Sequence, residues 1–209
     1  MKLGKLLFSL MITIMSCSFN TISEQKDVNK FKEAINKWHR FRWEGIIEFR
    51  HGQLNFRKEF ILKRNTKEIS INIFDSGIFG ISPTPFISVI LDSTYSINSS
   101  NSSVKQEIVN NFVNTTNLNH IPTRLNNLIN QIEANENKII STKSITINGT
   151  NVFFNDQFHI CRIFLKKMNL ELILDYKYNK SLSNIKLISD KTKLIDIKID
   201  KVSYGKIGE

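Results

Sequence analysis

The sequence has few cysteines and glycines and no apolar stretch long enough to span a bilayer. Its 209 residues include two cysteines, Cys17 and Cys161, so no internal disulfide can form if either one is modified. The apolar run at residues 6–15 is about half as long as the roughly 20 residues that a membrane-spanning helix needs. No internal repeat of about 20–50 residues stands out, which argues against solenoid and propeller architectures.

Motifs for common enzyme chemistries are also missing. The sequence contains no GxSxG, HExxH, CxxC or glycine-rich phosphate loop. No two of the histidines have the spacing of metal ligands: His39, His51, His120 and His159. Most carboxylates alternate with apolar residues on predicted strands, which places them on a solvated face. We therefore predict no catalytic residues, no metal, no cofactor and no enzymatic activity.

The N-terminus has the pattern of an export signal. Lys2 and Lys5 precede the apolar run, whose length suits the apolar region of a signal peptide. Residues 14–17, IMSC, resemble the lipobox of bacterial lipoproteins, in which the cysteine becomes the first residue and carries acyl chains such as palmitate. A plain secretory signal and a retained anchor are the alternatives.

The sequence divides into three parts. Residues 1–16 are predicted as the signal peptide, residues 17–30 as the lipidated Cys17 and a flexible polar tether, and residues 31–209 as a single domain. A short amphipathic helix is predicted at 27–38, where Phe31, Ile35 and Trp38 share a face.

The domain begins with strands, continues with helices and returns to strands. Apolar and polar residues alternate in RWEGIIEFR, LNFRKEFIL and KEISINIFD, and a hairpin is predicted from FISVIL and TYSIN. Helical spacing follows at 104–118 and at 123–135, the second with Thr123 as its N-cap. The later strands are predicted at 138–147, 151–155, 158–166, 169–177, 184–189 and 193–203. We therefore predict a mainly β fold of the α+β class, with a curved antiparallel sheet of about 10–11 strands forming an unclosed β-barrel, covered by the two mid-chain helices.

The arrangement resembles the LolA/LolB-type lipoprotein carriers of bacterial envelopes, and LolB-like outer-membrane lipoproteins in particular. Residues 41–80 carry the likeness, because an aromatic residue and a glycine open a strand, a hairpin follows, and a third strand ends in a glycine-bearing loop. Residues 86–97 have the hairpin character of that family. The resemblance implies an apolar barrel interior that holds the acyl chains of a lipoprotein or another lipid, with helices as its plug.

The predicted ligand site is that apolar interior. Its candidates are large apolar residues on inward faces: Trp43, Phe49, Phe56, Phe60, Ile71, Ile73, Phe112 and Leu128. Each can equally be ordinary core. Ile78 and Phe79 lie in a predicted loop, and the resemblance implies that an apolar residue there assists insertion of cargo into the membrane. Phe79 folded back onto the core is the alternative.

Basic residues concentrate in the first hairpins: Arg40, Arg42, Arg50, Arg57, Lys58, Lys63, Arg64 and Lys67. The formal net charge is +10, and part of the lysine excess is typical of A/T-rich codon usage. The cluster suits anionic lipid headgroups, with about 1 kcal/mol for each basic residue near such a surface; a solvated basic face is the alternative. Nucleic acid is not predicted as a partner, because the strand aromatics face away from these charges.

Two functions fit these features. The first is a monomeric, lipid-anchored protein at the periplasmic face of the outer membrane. It would accept acylated lipoproteins or phospholipid, with a periplasmic carrier protein as a partner, and pass the acyl chains to the membrane without chemistry. The second is a structural envelope lipoprotein with a solid core that binds a protein partner. An empty apolar cavity on the order of several hundred Å³ is expected for the first function only.

Overall fold

One antiparallel sheet of eleven strands dominates the computed structural model, which describes residues 25–51, 54–74, 85–92, 94–99, 120–189 and 192–205. The first five strands are β1 (Phe41–His51), β2 (Leu54–Arg64), β3 (Ile69–Phe74), β4 (Pro85–Leu91) and β5 (Tyr95–Ser99). The other six are β6 (Ser144–Ile147), β7 (Thr150–Phe154), β8 (Ile160–Leu165), β9 (Leu170–Tyr176), β10 (Leu182–Ser189) and β11 (Thr192–Tyr204). The mainly β fold and its strand number are thus confirmed.

The strands follow the order β5-β4-β3-β2-β1-β11-β10-β9-β8-β7-β6. Each half is a meander in which neighbours in sequence are neighbours in the sheet. The halves join where β1 pairs with β11, with Ile47 opposite Ile197. Within the described part of the chain β5 and β6 do not pair with each other, so the sheet is unclosed.

Three helices accompany the sheet in the described residues: α1 at residues 25–36, α2 (Ile121–Ala134) and α3 (Glu136–Thr142). α1 confirms the helix predicted at 27–38, and residues 25–30 of the segment assigned to the tether belong to it. α2 confirms the helix predicted at 123–135. The helix predicted at 104–118 lies outside the described residues.

Two local predictions were wrong. Thr123 is not the N-cap of α2, since His120 occupies that position and Pro122 lies in the first turn. Proline suits the first turn because its missing N–H would have no partner there. Residues 138–142, predicted as the start of a strand, form most of α3, which ends at Lys143 with a left-handed φ of 54°. A short apolar run such as Ile139-Ile140 fits a strand and a helix equally well.

The core lies between the sheet and the helices. One or two side chains from each helix are at most 1% exposed: Phe31 and Ile35 from α1, Ile129 and Ile132 from α2, and Ile139 from α3. They belong to one cluster with the apolar residues of the strands. The predicted cover by two mid-chain helices is therefore confirmed in part: α2 is one of the two, the other lies outside the described residues, and α1 and α3 also cover the sheet.

Gly45 allows β1 and β11 to approach closely at the centre of the sheet. The register between the two strands shifts between Glu44 and Gly45. A Cβ added at Gly45 would overlap the carbonyl oxygen of Lys198 and lie 3.0 Å from the Cα of Ile199. A larger residue therefore requires the backbone of one strand to move.

We expect Gly45→Ala to lower the free energy of unfolding by about 2 kcal/mol, because adding a methyl group to a filled site forces the backbone to shift. Urea denaturation measures this loss directly. Gly149→Ala is the control, since an added Cβ there has nothing within 4 Å and only a left-handed φ of 81° opposes it. That variant should lose about 1 kcal/mol. Equal losses in the two variants would contradict the steric role of Gly45.

Candidate functional site

The structure divides the predicted apolar site into buried and half-buried residues. Trp43, Phe49, Phe60 and Ile73 are at most 9% exposed. The Trp43 ring stacks on Phe41 with 3.9 Å between the ring centroids. These four predicted site residues therefore lie in the packed core.

Five half-buried residues form what we call the apolar strip: Phe56, Leu62, Ile71, Phe86 and Val89. Leu62, Ile71 and Val89 lie directly opposite one another on β2, β3 and β4. Phe56 contacts Phe86 with a centroid distance of 6.1 Å. Two of the five were sequence candidates, and Leu62, Phe86 and Val89 were missed. Leu128, the candidate on α2, is also half-buried against the core.

Four predicted positions belong to other parts of the chain. Cys17, Ile78, Phe79 and Phe112 all lie outside the described residues. The lipid anchor, the membrane loop and one ligand candidate therefore stay predictions.

Side-chain hydrogen bonds join α2 to neighbouring elements. Arg64 Nη2, at the end of β2, donates to Asn126 Oδ1 at 2.8 Å, and Asn126 Nδ2 donates to the carbonyl oxygen of Thr66 at 2.6 Å. Near the other end of α2, His39 Nε2 lies 2.8 Å from Glu133 Oε1. Each such bond contributes about 1 kcal/mol net, or about 2 kcal/mol where Arg64 is the donor, and these bonds add to the apolar packing of Ile129 and Ile132 in holding α2.

A pocket of about 930 Å³ lies between the β2–β3 turn and the first turn of α2. Its charged lining consists of four basic and two acidic residues: Arg40, Lys63, Arg64, Lys67, Glu68 and Asp92. Half of the predicted basic cluster thus comes together here. Arg42 and Arg50 lie elsewhere, in ion pairs with Glu44 and Glu48.

Arg64 differs from the other basic residues because it is only 1% exposed. Burial lowers the pKa of its guanidinium to about 10, which still leaves it protonated at neutral pH. Its position on the inner face of β2, two residues beyond Leu62, brings a positive charge to the edge of the apolar strip.

Comparison with family models and with curated proteins finds no match to this chain. In the part of the chain that the structure describes, no helix combines the length and the apolar character needed to cross a membrane. The described residues also contain no group of three or more His, Cys, Asp and Glu side chains placed to hold a metal ion. The apolar strip and the contacts of α2 are the features of the described residues that bear on function.

Proposed function

We propose that this protein is a lipid-anchored carrier of the bacterial envelope that holds the acyl chains of lipoproteins or phospholipids against the apolar strip. The strip is the observation that carries the proposal, because it consists of five half-buried apolar side chains on three adjacent strands. Apolar surface left partly in water is where an acyl chain gains most on binding, at about 0.8 kcal/mol for each methylene group buried.

The polar attachment of α2 supports movement of this helix during binding. Arg64 and Thr66 hold Asn126 by hydrogen bonds, whereas Leu128 on the same helix is only half-buried. Moving α2 breaks these bonds and also exposes Ile129 and Ile132, at about 2 kcal/mol for each side chain, so an acyl chain must bury roughly ten methylene groups at about 0.8 kcal/mol each to offset the cost. Binding and release of an acyl chain therefore need no chemical step, in agreement with the resemblance to LolB-like carriers.

The proposed carrier is monomeric and is held at the periplasmic face of the outer membrane by acyl chains on Cys17. Its partners are acylated lipoproteins or phospholipid, the membrane surface, and a periplasmic carrier protein that delivers the cargo. The signal-like N-terminus and the lipobox pattern at residues 14–17 support this location.

Val89→Glu tests the strip, with Ile90→Glu as its matched control. Val89 lies in the strip, while Ile90, its neighbour on β4, is 36% exposed on the opposite face. We expect Val89→Glu to weaken binding of a fluorescent 16-carbon fatty acid at least about tenfold, because the acyl chain would bury a carboxylate without a partner. Ile90→Glu should change the Kd by less than about twofold. Titration followed by fluorescence, with circular dichroism to check folding, measures both.

Equal binding of the fatty acid by the two variants would show that the apolar strip does not hold the acyl chain. Failure of the unmodified protein to bind the fatty acid would favour the second function, an envelope lipoprotein with a solid core that binds a protein partner. One observation favours that alternative: Trp43 is 4% exposed and is packed against Phe41 and Trp38, with ring centroids 3.9 and 5.8 Å away.

A further inference from the structure

Arg64 is a buried cation whose hydrogen-bonding groups are only partly satisfied. Its Nη2 donates to Asn126, but Nε and Nη1 have no hydrogen-bond partner in the described structure. Buried polar groups in proteins are nearly always paired, and an unpaired charge is the most costly exception. The charge of Arg64 is therefore uncompensated within the described structure, and an anion in the pocket that Arg64 lines would lower the cost of burying it.

No carboxylate of the described residues balances this charge. Glu68 and Asp92 line the pocket, but neither forms an ion pair with Arg64. The Asp92 carboxylate instead accepts hydrogen bonds from the backbone N–H and the hydroxyl of Thr94, at 2.7 and 2.9 Å. Burial alone lowers the pKa of Arg64, and no acid opposes that effect.

The surroundings of Arg64 add further positive potential. Arg40, Lys63 and Lys67 line the same pocket, so basic residues outnumber acidic ones by four to two. The first turn of α2, a helix of 14 residues, also lines the pocket, and its N-cap residue makes no side-chain capping hydrogen bond. The amino end of a helix carries unpaired N–H groups and a partial positive charge, which attract anions.

We infer that this pocket binds a phosphate group, either as free phosphate or as part of a lipid headgroup, with Arg64 as the buried charge at its base. The excess of two positive charges suits a phosphate better than a singly charged carboxylate. A volume of about 930 Å³ also leaves room for whatever the phosphate is attached to. The inference does not depend on acyl-chain binding at the apolar strip.

Calorimetric titration of the purified full-length protein with inorganic phosphate tests the inference, with chloride keeping the ionic strength constant. We expect saturable binding, which Arg64→Gln weakens at least about tenfold because the buried positive charge beside the ligand is lost. Arg57→Gln is the matched control, since Arg57 is an exposed arginine on the same strand and lies outside the pocket. It should change the Kd by less than about twofold.

Two further ligands show whether the natural phosphate is free or part of a headgroup, and whether the pocket prefers phosphate to a carboxylate. Glycerol 3-phosphate should bind more tightly than inorganic phosphate if the natural ligand is a headgroup, and more weakly if it is free phosphate. Acetate at the same concentration should bind at least about tenfold more weakly, since it carries less charge and fewer acceptor atoms. Acetate binding as tight as phosphate binding would overturn the assignment.

Absence of saturable phosphate binding, or an equal loss in Arg57→Gln and Arg64→Gln, would also overturn it. Thermal unfolding shows whether Arg64→Gln folds. If it does not, the double variant Lys63→Gln/Lys67→Gln decides the question, because these side chains lie at the more accessible part of the pocket. A loss of phosphate affinity of less than about twofold in that folded variant would contradict the inference.

Discussion

Replacing Phe31 with alanine should lower the free energy of unfolding by about 4 kcal/mol, because a fully buried aromatic side chain leaves a cavity that closes only in part. Phe31 is 1% exposed on α1. Its ring lies 6.4 Å from the Phe154 ring and 6.0 Å from the Phe158 ring, in an edge-to-face arrangement with the latter. The side chain therefore anchors α1 to β7 and to the turn before β8.

Urea denaturation followed by tryptophan fluorescence measures this loss. Lys32→Ala is the matched control on the same helix, because the Lys32 side chain is 65% exposed and its ion pair with Glu136 spans 3.7 Å. Its effect should stay within about 0.5 kcal/mol. A loss below about 1 kcal/mol in Phe31→Ala would show that α1 is not a structural part of the domain, and that the tether extends to the start of β1.

The strands were predictable because their signal is local. In β1, β2 and β3 apolar residues recur at alternate positions, interrupted only at Gly45 and Lys58 before the strand ends. The turns between these strands are short, so the alternation predicts both side-chain direction and register. The turn at Asn148-Gly149 is also determined locally. Both residues adopt a left-handed φ, 49° and 81°, as the sequence pattern of a tight hairpin predicts. The alternation of residues therefore predicts the structure correctly where a strand pairs with the next strand in the sequence.

The candidate site was predicted less completely because half-burial depends on distant elements. FISVIL is apolar at nearly every position, so alternation does not reveal which of its residues face inward. The register of β4 with β3 places Val89 opposite Ile71, and an irregularity near Phe74 changes the positions beyond it. Leu62 and Phe56 share a face in the sequence pattern, but how much of each side chain remains exposed depends on residues of other elements that pack against it, such as Phe86 of β4 against Phe56.

Arg64 shows the same limit for a charged residue. Its even spacing from Phe60 and Leu62 was a signal that it faces inward, but the sequence prediction ended the strand before Arg64 and counted it among the basic residues of the first hairpins. Its hydrogen-bond partner is Asn126, which is 62 positions away in sequence. A sequence pattern that extends over a few residues contains no information about such a contact.

Acidification should destabilise the protein through His159. This residue is 6% exposed, and its ring stacks on Tyr176 with 4.6 Å between the centroids. Burial lowers the pKa of His159 to about 4, with Lys37 and Lys180 acting in the same direction and Glu33 opposing them. The imidazole is therefore neutral in the folded protein over most of the pH range in which a solvated histidine titrates, near a pKa of about 6.5.

Acid lowers the stability because the unfolded state binds the proton at a higher pH than the folded state does. As pH falls from about 6.5 to about 4, the unfolded chain takes up a proton at His159 while the folded chain does not. The stability contributed by the neutral ring is present above about pH 6.5 and decreases through this window, by about 3 kcal/mol in total. Urea denaturation at a series of pH values measures the decrease.

His159→Phe isolates this contribution, because phenylalanine keeps a ring against Tyr176 and cannot be protonated. Asp27, Glu33 and Asp92 also have lowered pKa values, so their contributions are lost mainly at lower pH, below the ordinary values near 4. The variant should therefore keep most of its stability between about pH 6.5 and pH 4, while the unmodified protein loses about 3 kcal/mol. Parallel pH profiles for the two proteins would show that the proton is taken up elsewhere. A difference confined to this window would assign it to the His159 ring.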